Sequence, residues 1–353
     1  MFYAARFIFC LFFITIASTA TLNPRLISLL NVVTFRNSPC TAVSSTASSS
    51  RQGTCFSSEE CSQKGGQIDG TCASGFGVCC IFKLVACGGA ISQNCTYIQN
   101  PGTPSGFTVG TTTSCRYTFP RTNMDICRIR LDFKTLQLRQ APTATGVCGN
   151  ENIAVTSTSR NNIPSFCGIL TNQHMYITTA ETGDLGAFAL NFDTADVTTT
   201  RSWDIKVTQV ACDDTLSLPP DGCLQYFTGL SGNVKSYNFG VLLASTAYDS
   251  CIRNERGFCS VRYTESATAV PDPFIIGADA AGRTDGSNCA DARLVISGSV
   301  SSVVCGNFLT QVDASMMASQ VIANNVPFNL RLETTNILNA QTGYNLDYTQ
   351  IPC

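Results

Sequence analysis

Apolar and polar residues alternate over several short segments in the middle and at the end of the chain. The clearest cases are residues 129–133, 188–192, 203–207, 259–263 and 344–348. Because successive side chains of a strand point to opposite faces, a period of two predicts strands with one buried and one wet face. Gly, Pro and Asn separate these segments, and no long segment shows a helical period. The predicted fold class is all-β, built from antiparallel sandwiches.

The N-terminal residues are typical of a secretory signal peptide, predicted over residues 1–20. Arg6 provides the positive region, residues 8–16 are apolar, and Ser18-Thr19-Ala20 offers a cleavage site of small residues. The apolar run is shorter than the roughly 20 residues that a membrane span needs, so we expect no membrane span. The protein is therefore expected to be secreted and extracellular, in a compartment where cysteines form disulfides.

Charge and cysteine content narrow the class further. Only 13% of the residues are charged, and the formal net charge is −2. There is no basic stripe for nucleic acid and no acidic tail, so we expect no nucleic-acid partner. Among 20 cysteines, Cys10 leaves with the signal, so an odd number remains. The odd cysteine indicates a free thiol, a covalent partner chain or a different cleavage site.

The cysteines repeat one spacing. Cys87 and Cys115 are as far apart as Cys223 and Cys251, and a closer pair follows each of them. We therefore predict repeated modules. The predicted organisation is a signal peptide, a linker, a small cysteine-rich knot, a first module, a second linker and a divergent second module, at residues 1–20, 21–52, 53–82, 87–212, 213–222 and 223–353. The knot holds Cys55, Cys61, Cys72, Cys79 and Cys80, and a segment this small needs covalent bridges because it cannot bury much core.

The two modules resemble the CUB domain, a β-sandwich of secreted and surface proteins. In the first module the resemblance rests on the Cys-Gly-Gly opening, two alternating strands and a Cys-Gly pair, at residues 87–89, 115–119, 129–133 and 167–168. In the second it rests on Cys305-Gly306 and the closing strand at 343–348, without a Cys-Gly-Gly opening. The resemblance implies two CUB-like antiparallel β-sandwich (jelly-roll) domains after a disulfide-rich knot.

The knot has a resemblance of its own. It is similar to the cysteine knots that precede CUB modules in many arthropod secreted proteins, and its terminal Cys79-Cys80 resembles the clip domains of arthropod immune cascades. The gap from Cys61 to Cys72 is shorter than in clip domains. A clip requires Cys79 and Cys80 to pair with different upstream cysteines.

The CUB resemblance also implies disulfides. The implied pairs are Cys87–Cys115, Cys148–Cys167, Cys223–Cys251 and Cys289–Cys305. Proximity in the expected sandwich adds Cys95–Cys127 and Cys259–Cys353. If Cys40 and the knot cysteines pair among themselves, Cys212 is left over.

Candidate chemistry is sparse. His174 is the only histidine, no nucleophile motif accompanies it, and we interpret it as a strand-edge residue. Calcium-binding CUB modules use several carboxylates, whereas this chain offers Glu151 in the first module and Asp291 in the second. We interpret both as solvated loop residues, weak calcium candidates at most. The sequence therefore predicts no enzyme, no metal and no cofactor.

Two surface features remain. Arg128, Arg130 and Lys134 share the parity opposite to the apolar residues of their strand, so we expect them to point outward. They form either an ordinary solvated face or a strip that binds an acidic protein or a sulfated glycan. Asn94-Cys95-Thr96 is a glycosylation sequon, and Asn94 is the candidate acceptor.

These features favour a secreted, non-catalytic recognition or adhesion protein that binds a protein or glycan ligand through loops of the CUB-like modules. Two alternatives stay open. The clip-like knot indicates a regulator of an extracellular immune serine-protease cascade. The odd cysteine and low charge indicate a structural component of an extracellular matrix, which would be covalently linked.

Overall fold

The computed structural model describes residues 34–43, 51–121, 124–156, 163–179, 183–277, 289–300, 302–309, 320–337 and 339–353. The predicted signal peptide lies outside the described residues. Nearly all regular structure is β, which confirms the predicted all-β class. The strands form an N-terminal knot and two sandwiches, each of the latter made of two sheets.

The knot is a small sheet with one short helix. Ser57 caps that helix by accepting a hydrogen bond from the Glu60 backbone N–H at 3.1 Å. Its elements are β1 (Pro39–Thr41), β2 (Gln52–Phe56), α1 (Ser58–Gln63), β3 (Gln67–Cys72) and β4 (Gly77–Val85). The bridges are Cys40–Cys79, Cys55–Cys72 and Cys61–Cys80.

The predicted boundaries of the knot, 53–82, are too narrow at both ends. Upstream, β1 lies in the predicted 21–52 linker, yet it pairs with β2 and carries Cys40 of the Cys40–Cys79 bridge. Downstream, β4 does not stop at residue 82. Its first half pairs with β2 and β3, and its second half continues as an edge strand of the first sandwich. The knot and the first sandwich therefore share one strand.

The first sandwich follows. Its strands are β5 (Gly89–Ala90), β6 (Thr96–Gln99), β7 (Ser114–Phe119), β8 (Ile126–Gln137), β9 (Asn152–Thr156), β10 (Gln173–Thr178), β11 (Gly186–Asn191) and β12 (Ser202–Ala211). One sheet has the order β4-β6-β12-β8-β10 and the other β5-β7-β11-β9. The alternating apolar residues of β8, β11 and β12 face each other between the sheets. Phe133 packs on Phe188 at 6.4 Å between ring centroids, and the Trp203 indole N–H donates to the Tyr117 hydroxyl at 3.1 Å.

The second sandwich repeats this plan. Its strands are β13 (Cys223–Phe227), β14 (Ser231–Lys235), β15 (Ala247–Ile252), β16 (Phe258–Glu265), β17 (Phe274–Ile275), β18 (Ala292–Ile296), β19 (Val303–Val304), β20 (Gln320–Ala323), β21 (Phe328–Thr334) and β22 (Gly343–Pro352). The orders are β14-β22-β16-β20 and β13-β15-β21-β18-β19. Strand for strand they match β6-β12-β8-β10 and β5-β7-β11-β9, including the parallel first pair.

Three disulfides recur at equivalent places in the two sandwiches. They are Cys87–Cys115, Cys148–Cys167 and Cys127–Cys212 in the first, and Cys223–Cys251, Cys289–Cys305 and Cys259–Cys353 in the second. The four pairs that the CUB resemblance implies are all present in this set. The predicted Cys95–Cys127 pair and the predicted surplus of Cys212 are wrong.

Strand order explains both errors. The start of β8 faces the end of β12, with Ile126 opposite Ala211, so Cys127 and Cys212 come within 4.9 Å between Cα atoms. Cys95 precedes β6, and β12 lies between β6 and β8. Cys95 is therefore one strand away from Cys127, and it is the free cysteine among the described residues.

Candidate functional site

The predicted basic strip is not an open cationic surface. Arg128, Arg130 and Lys134 do share one face of β8, but only Lys134 is exposed. Arg128 is buried and forms an ion pair with Asp221 of the linker between the sandwiches. Arg130 donates to Asp132 at 2.9 Å and to the Tyr176 hydroxyl at 2.8 Å. The expectation that all three point into solvent is wrong, because the linker and the second sandwich cover this face.

That covered face is the centre of a junction between the two sandwiches. Gln173 on β10 donates to the Ser236 carbonyl at 2.9 Å, and the Ile169 N–H donates to the Asn238 side-chain oxygen at 2.9 Å. The ring of Phe166 packs on that of Tyr237 at 4.4 Å between centroids. One apolar core continues across the junction. The sandwiches therefore form a single packed body rather than two units on a flexible linker.

The Cys-Gly motif of the first sandwich serves this junction. Gly168 has a φ of +83°, and a Cβ at this position would run into the side chains of Asn238 and Gln140. Glycine is needed because it tolerates the positive φ and leaves room for Asn238 to approach the backbone. Part of the motif that carries the family resemblance is thus used for contact between the sandwiches.

His174 lies at the same junction. Its Nε2 accepts a hydrogen bond from the Tyr226 backbone N–H at 2.9 Å, and its carbonyl accepts from the Tyr237 hydroxyl at 2.7 Å. Burial, helped by the positive charge of Arg130, lowers the pKa of His174 to about 4. The predicted strand-edge placement agrees with the start of β10. At neutral pH the imidazole is an uncharged acceptor that joins the two sandwiches.

Acid is expected to weaken the junction through His174. Its pKa is about 4 when folded and about 6.5 when unfolded. The unfolded chain thus binds the proton first, and stability is lost as pH falls from 6.5 through 4. Between pH 7.5 and 5 the loss amounts to about 2 kcal/mol. Denaturant unfolding of wild type and His174→Gln at both pH values measures it, since the other acids titrate in both proteins. Equal pH dependence of the two proteins would contradict this assignment.

Glu151 is not a solvated loop residue. Its carboxylate is buried and forms an ion pair with the fully buried guanidinium of Arg201, with 2.6 Å between Nη2 and Oε2. It also accepts the Arg139 backbone N–H at 2.6 Å. Asp196 lies 3.5 Å from the same guanidinium, and hydrogen bonds from Thr199 and Thr198 lower the pKa of Asp196. The guanidinium of Arg201 therefore already neutralises Glu151, the weak calcium candidate of the first module.

Asp291, the other calcium candidate, is half-buried, and its backbone carbonyl accepts the Thr335 N–H at 2.7 Å. Among the described residues no group of three or more His, Cys, Asp or Glu side chains is arranged to hold a metal ion. In the same part of the chain, no helix is long and apolar enough to cross a membrane.

Asn94 and Cys95 lie where the knot meets the first sandwich. Asn94 is exposed, but its side-chain oxygen already accepts the Cys95 and Gln209 backbone N–H groups, each at 2.8 Å. Cys95 has a φ of +59°, and burial raises the pKa of its thiol. Glycosylation of Asn94 stays a prediction, and the raised pKa keeps the Cys95 thiol protonated at neutral pH.

After removal of the predicted signal peptide with Cys10, the folded protein is expected to protect one thiol, that of Cys95. A half-buried thiol of raised pKa reacts slowly, so modification of Cys95 by a disulfide reagent should be at least about tenfold slower in the folded protein than in guanidinium. Colorimetric thiol counting with and without denaturant measures this, and Cys95→Ser should abolish the signal. Non-reducing electrophoresis should show a monomer. A covalent dimer that disappears in Cys95→Ser would instead favour the matrix alternative.

The comparisons with known proteins identify part of the chain. Residues 220–351 match the family model of the animal CUB domain. A CUB domain is therefore found in this part of the chain, which is the second sandwich. No curated protein matches the chain.

The solved structures that are similar to the chain include two from MASP-1 proteins. The CUB1-EGF-CUB2 domains of rat MASP-1 are 15% identical, with 74% of this chain and 99% of that chain covered and a TM-score of 0.26. The CUB1-EGF-CUB2 domain of human MASP-1/3 is 18% identical, with 72% and 98% covered and a TM-score of 0.26. A TM-score this low supports no conclusion about the arrangement of the chain.

Proposed function

We propose that the protein is a secreted, non-catalytic recognition protein that binds an extracellular protein through a rigid pair of CUB-like domains. In this proposal the first sandwich, residues 87–212, is also a CUB-like domain and forms a pair with the second sandwich, residues 223–353. The observation that carries this proposal is the duplication of strand order and of three disulfides in both sandwiches. Nine disulfides in the described chain suit an oxidising, extracellular setting.

The use of His174 supports a non-catalytic role. A general base must have a free lone pair that reaches substrate. The Nε2 lone pair of His174 receives a backbone N–H, and the ring is packed against Phe227 and Tyr176. The chain has no second histidine. For His174 to act as a catalytic base, its hydrogen bond to the Tyr226 backbone N–H at the junction would have to break.

An apolar patch on the CUB domain is the best candidate surface for a protein partner. It consists of Val300, Ile322 and Val326, which are 106%, 44% and 55% exposed. Pairing of Ser299 with Ala323 brings their segments together at one end of the second sandwich. Exposed apolar clusters of this kind are typical of protein-binding surfaces. We refer to these three residues as the end patch.

The test is a binding experiment with the full chain. Immobilised protein should retain a saturable ligand from the native extracellular fluid, and mass spectrometry should identify it. The purified ligand should then bind with a micromolar or tighter dissociation constant. Ile322→Asp/Val326→Asp should weaken binding at least about tenfold, while Val270→Asp, also exposed but outside the end patch, should not. Absence of a saturable ligand, or hydrolase activity lost in His174→Gln, would contradict the proposal.

A second candidate function is regulation of an extracellular serine-protease cascade. The pairing of Cys79 with Cys40 and of Cys80 with Cys61 supports it, because a clip requires these two cysteines to have different upstream partners. Added to plasma or haemolymph in which a cascade has been triggered, the protein should change the rate of chromogenic substrate cleavage. Reduced and alkylated protein is the control. No change across a hundredfold concentration range would remove this candidate.

A further inference from the structure

A cleft opens at the junction beside the inter-sandwich contacts. It has a volume of about 400 Å³, within the usual size of small-ligand sites. Both sandwiches and the start of β13 contribute to it, including Pro164, Tyr176, Leu224, Tyr248, Asp249 and Arg331. Two tyrosine rings, a leucine and a proline give it apolar walls, while a carboxylate and a guanidinium provide polar groups.

The carboxylate of Asp249 lacks one donor. Its Oδ2 accepts from Arg331 at 3.1 Å, but Oδ1 is buried and no donor among the described residues reaches it. A buried acceptor without a partner is costly and calls for an explanation. The Asp249 side chain as a whole is 19% exposed and lines the cleft, so a small rotation of the carboxylate would turn Oδ1 toward a donor that enters with a bound molecule.

The charges around the cleft decide what kind of molecule fits. Arg331 contacts Asp249 and Glu333, and Glu333 also binds Arg293 at 2.5 Å. These two cations and two anions balance. A cationic ligand would compete with Arg331 for the carboxylate, and an anionic ligand would meet Asp249. An uncharged ligand with hydroxyl groups can donate to Asp249 and accept from Arg331 without either conflict.

We propose that the junction cleft binds an uncharged sugar residue. A sugar combines hydroxyl donors and acceptors with apolar C–H faces that suit the leucine, proline and tyrosine walls. This inference rests on the proposed recognition function and adds a glycan component to it. The site lies between the sandwiches, so it exists only while the junction is intact.

The test uses the full chain and a panel of methyl glycosides of glucose, galactose, mannose and N-acetylglucosamine, with glucosamine and N-acetylneuraminic acid as charged comparators. Ligand-observed NMR and calorimetry should find at least one uncharged glycoside with a millimolar dissociation constant. Asp249→Ala should weaken its binding at least about tenfold, because it removes a charged acceptor. Ala247→Trp should do the same by filling the cleft, since Ala247 lines it and is exposed.

The matched control is Asp347→Ala. Asp347 lies on β22 in the other sheet and accepts from Asn233, so its removal should leave sugar binding unchanged. If Asp249→Ala fails to fold, the loss or retention of sugar binding in Ala247→Trp tests the inference instead. No binding of any uncharged glycoside, binding that survives both cleft variants, or tighter binding of a charged comparator would overturn the inference. Loss of the sugar result with an intact protein ligand would leave the proposed function standing.

Discussion

Replacing Arg201 by Met is expected to lower the free energy of unfolding by about 3–5 kcal/mol, because it leaves the buried carboxylate of Glu151 without its counter-ion. The Arg201 side chain is completely buried, and that of Glu151 is 2% exposed. The same guanidinium also donates to the carbonyls of Thr199 and Asp196 at 2.5 and 2.8 Å. Removing it therefore leaves several acceptors unpaired at once.

Denaturant unfolding of matched variants measures this effect. Arg139→Met is the control, since Arg139 contacts the same cluster through Asp193 but is 49% exposed; its loss should stay within about 1 kcal/mol. The double variant Glu151→Gln/Arg201→Met should be less destabilised than the sum of the single changes, because no unpaired charge remains. A loss for Arg201→Met as small as that for Arg139→Met would refute the role of Arg201.

Replacing Tyr237 by Ala is expected to cost about 3–5 kcal/mol and to separate the unfolding of the two sandwiches. Tyr237 is 1% exposed, packs on Phe166 and Tyr248, and donates to the His174 carbonyl. It thus fills the core at the point where that core passes from one sandwich to the other. Without the ring, the junction loses its central apolar contact, and we expect the remaining hydrogen bonds at the junction to be too weak to make the two sandwiches unfold together.

Differential scanning calorimetry distinguishes coupling from simple loss of core. Wild type should show one transition for both sandwiches, and Tyr237→Ala should show two. Tyr263→Ala removes an equally buried ring inside the second sandwich, so it should lower the melting temperature without adding a transition. Two transitions already in wild type, or one in Tyr237→Ala, would show that the junction does not couple the sandwiches.

Local pattern was sufficient to predict several of the strands and the fold class. The alternation at residues 129–133 and 203–207 coincides with β8 and β12, and their apolar residues are buried between the sheets. The parity argument also placed Arg128 and Arg130 on the correct face of β8. It could not show that this face is covered, because the covering residues belong to the linker and to the second sandwich.

Long-range pairs were less accessible. The Cys127–Cys212 bridge had a signal in the sequence: the expected Cys259–Cys353 pair is its equivalent in the second sandwich, and transfer of that pair to the first would have found it. Arg201 and Glu151 had no such signal. They lie 50 positions apart, no local motif links them, and only the closing of the sandwich brings them together.

The continuous strand β4 fixes the position of the knot relative to the first sandwich. Arg51 of the knot also pairs with Asp204 of the first sandwich at 2.7 Å and lies over the Tyr97 ring. Because the junction between the sandwiches is also closely packed, the knot, the first sandwich and the second sandwich keep fixed positions relative to one another. A target that engages both the knot and the end patch would have to present its two epitopes at one spacing. Targets with another spacing would lose the gain from simultaneous binding.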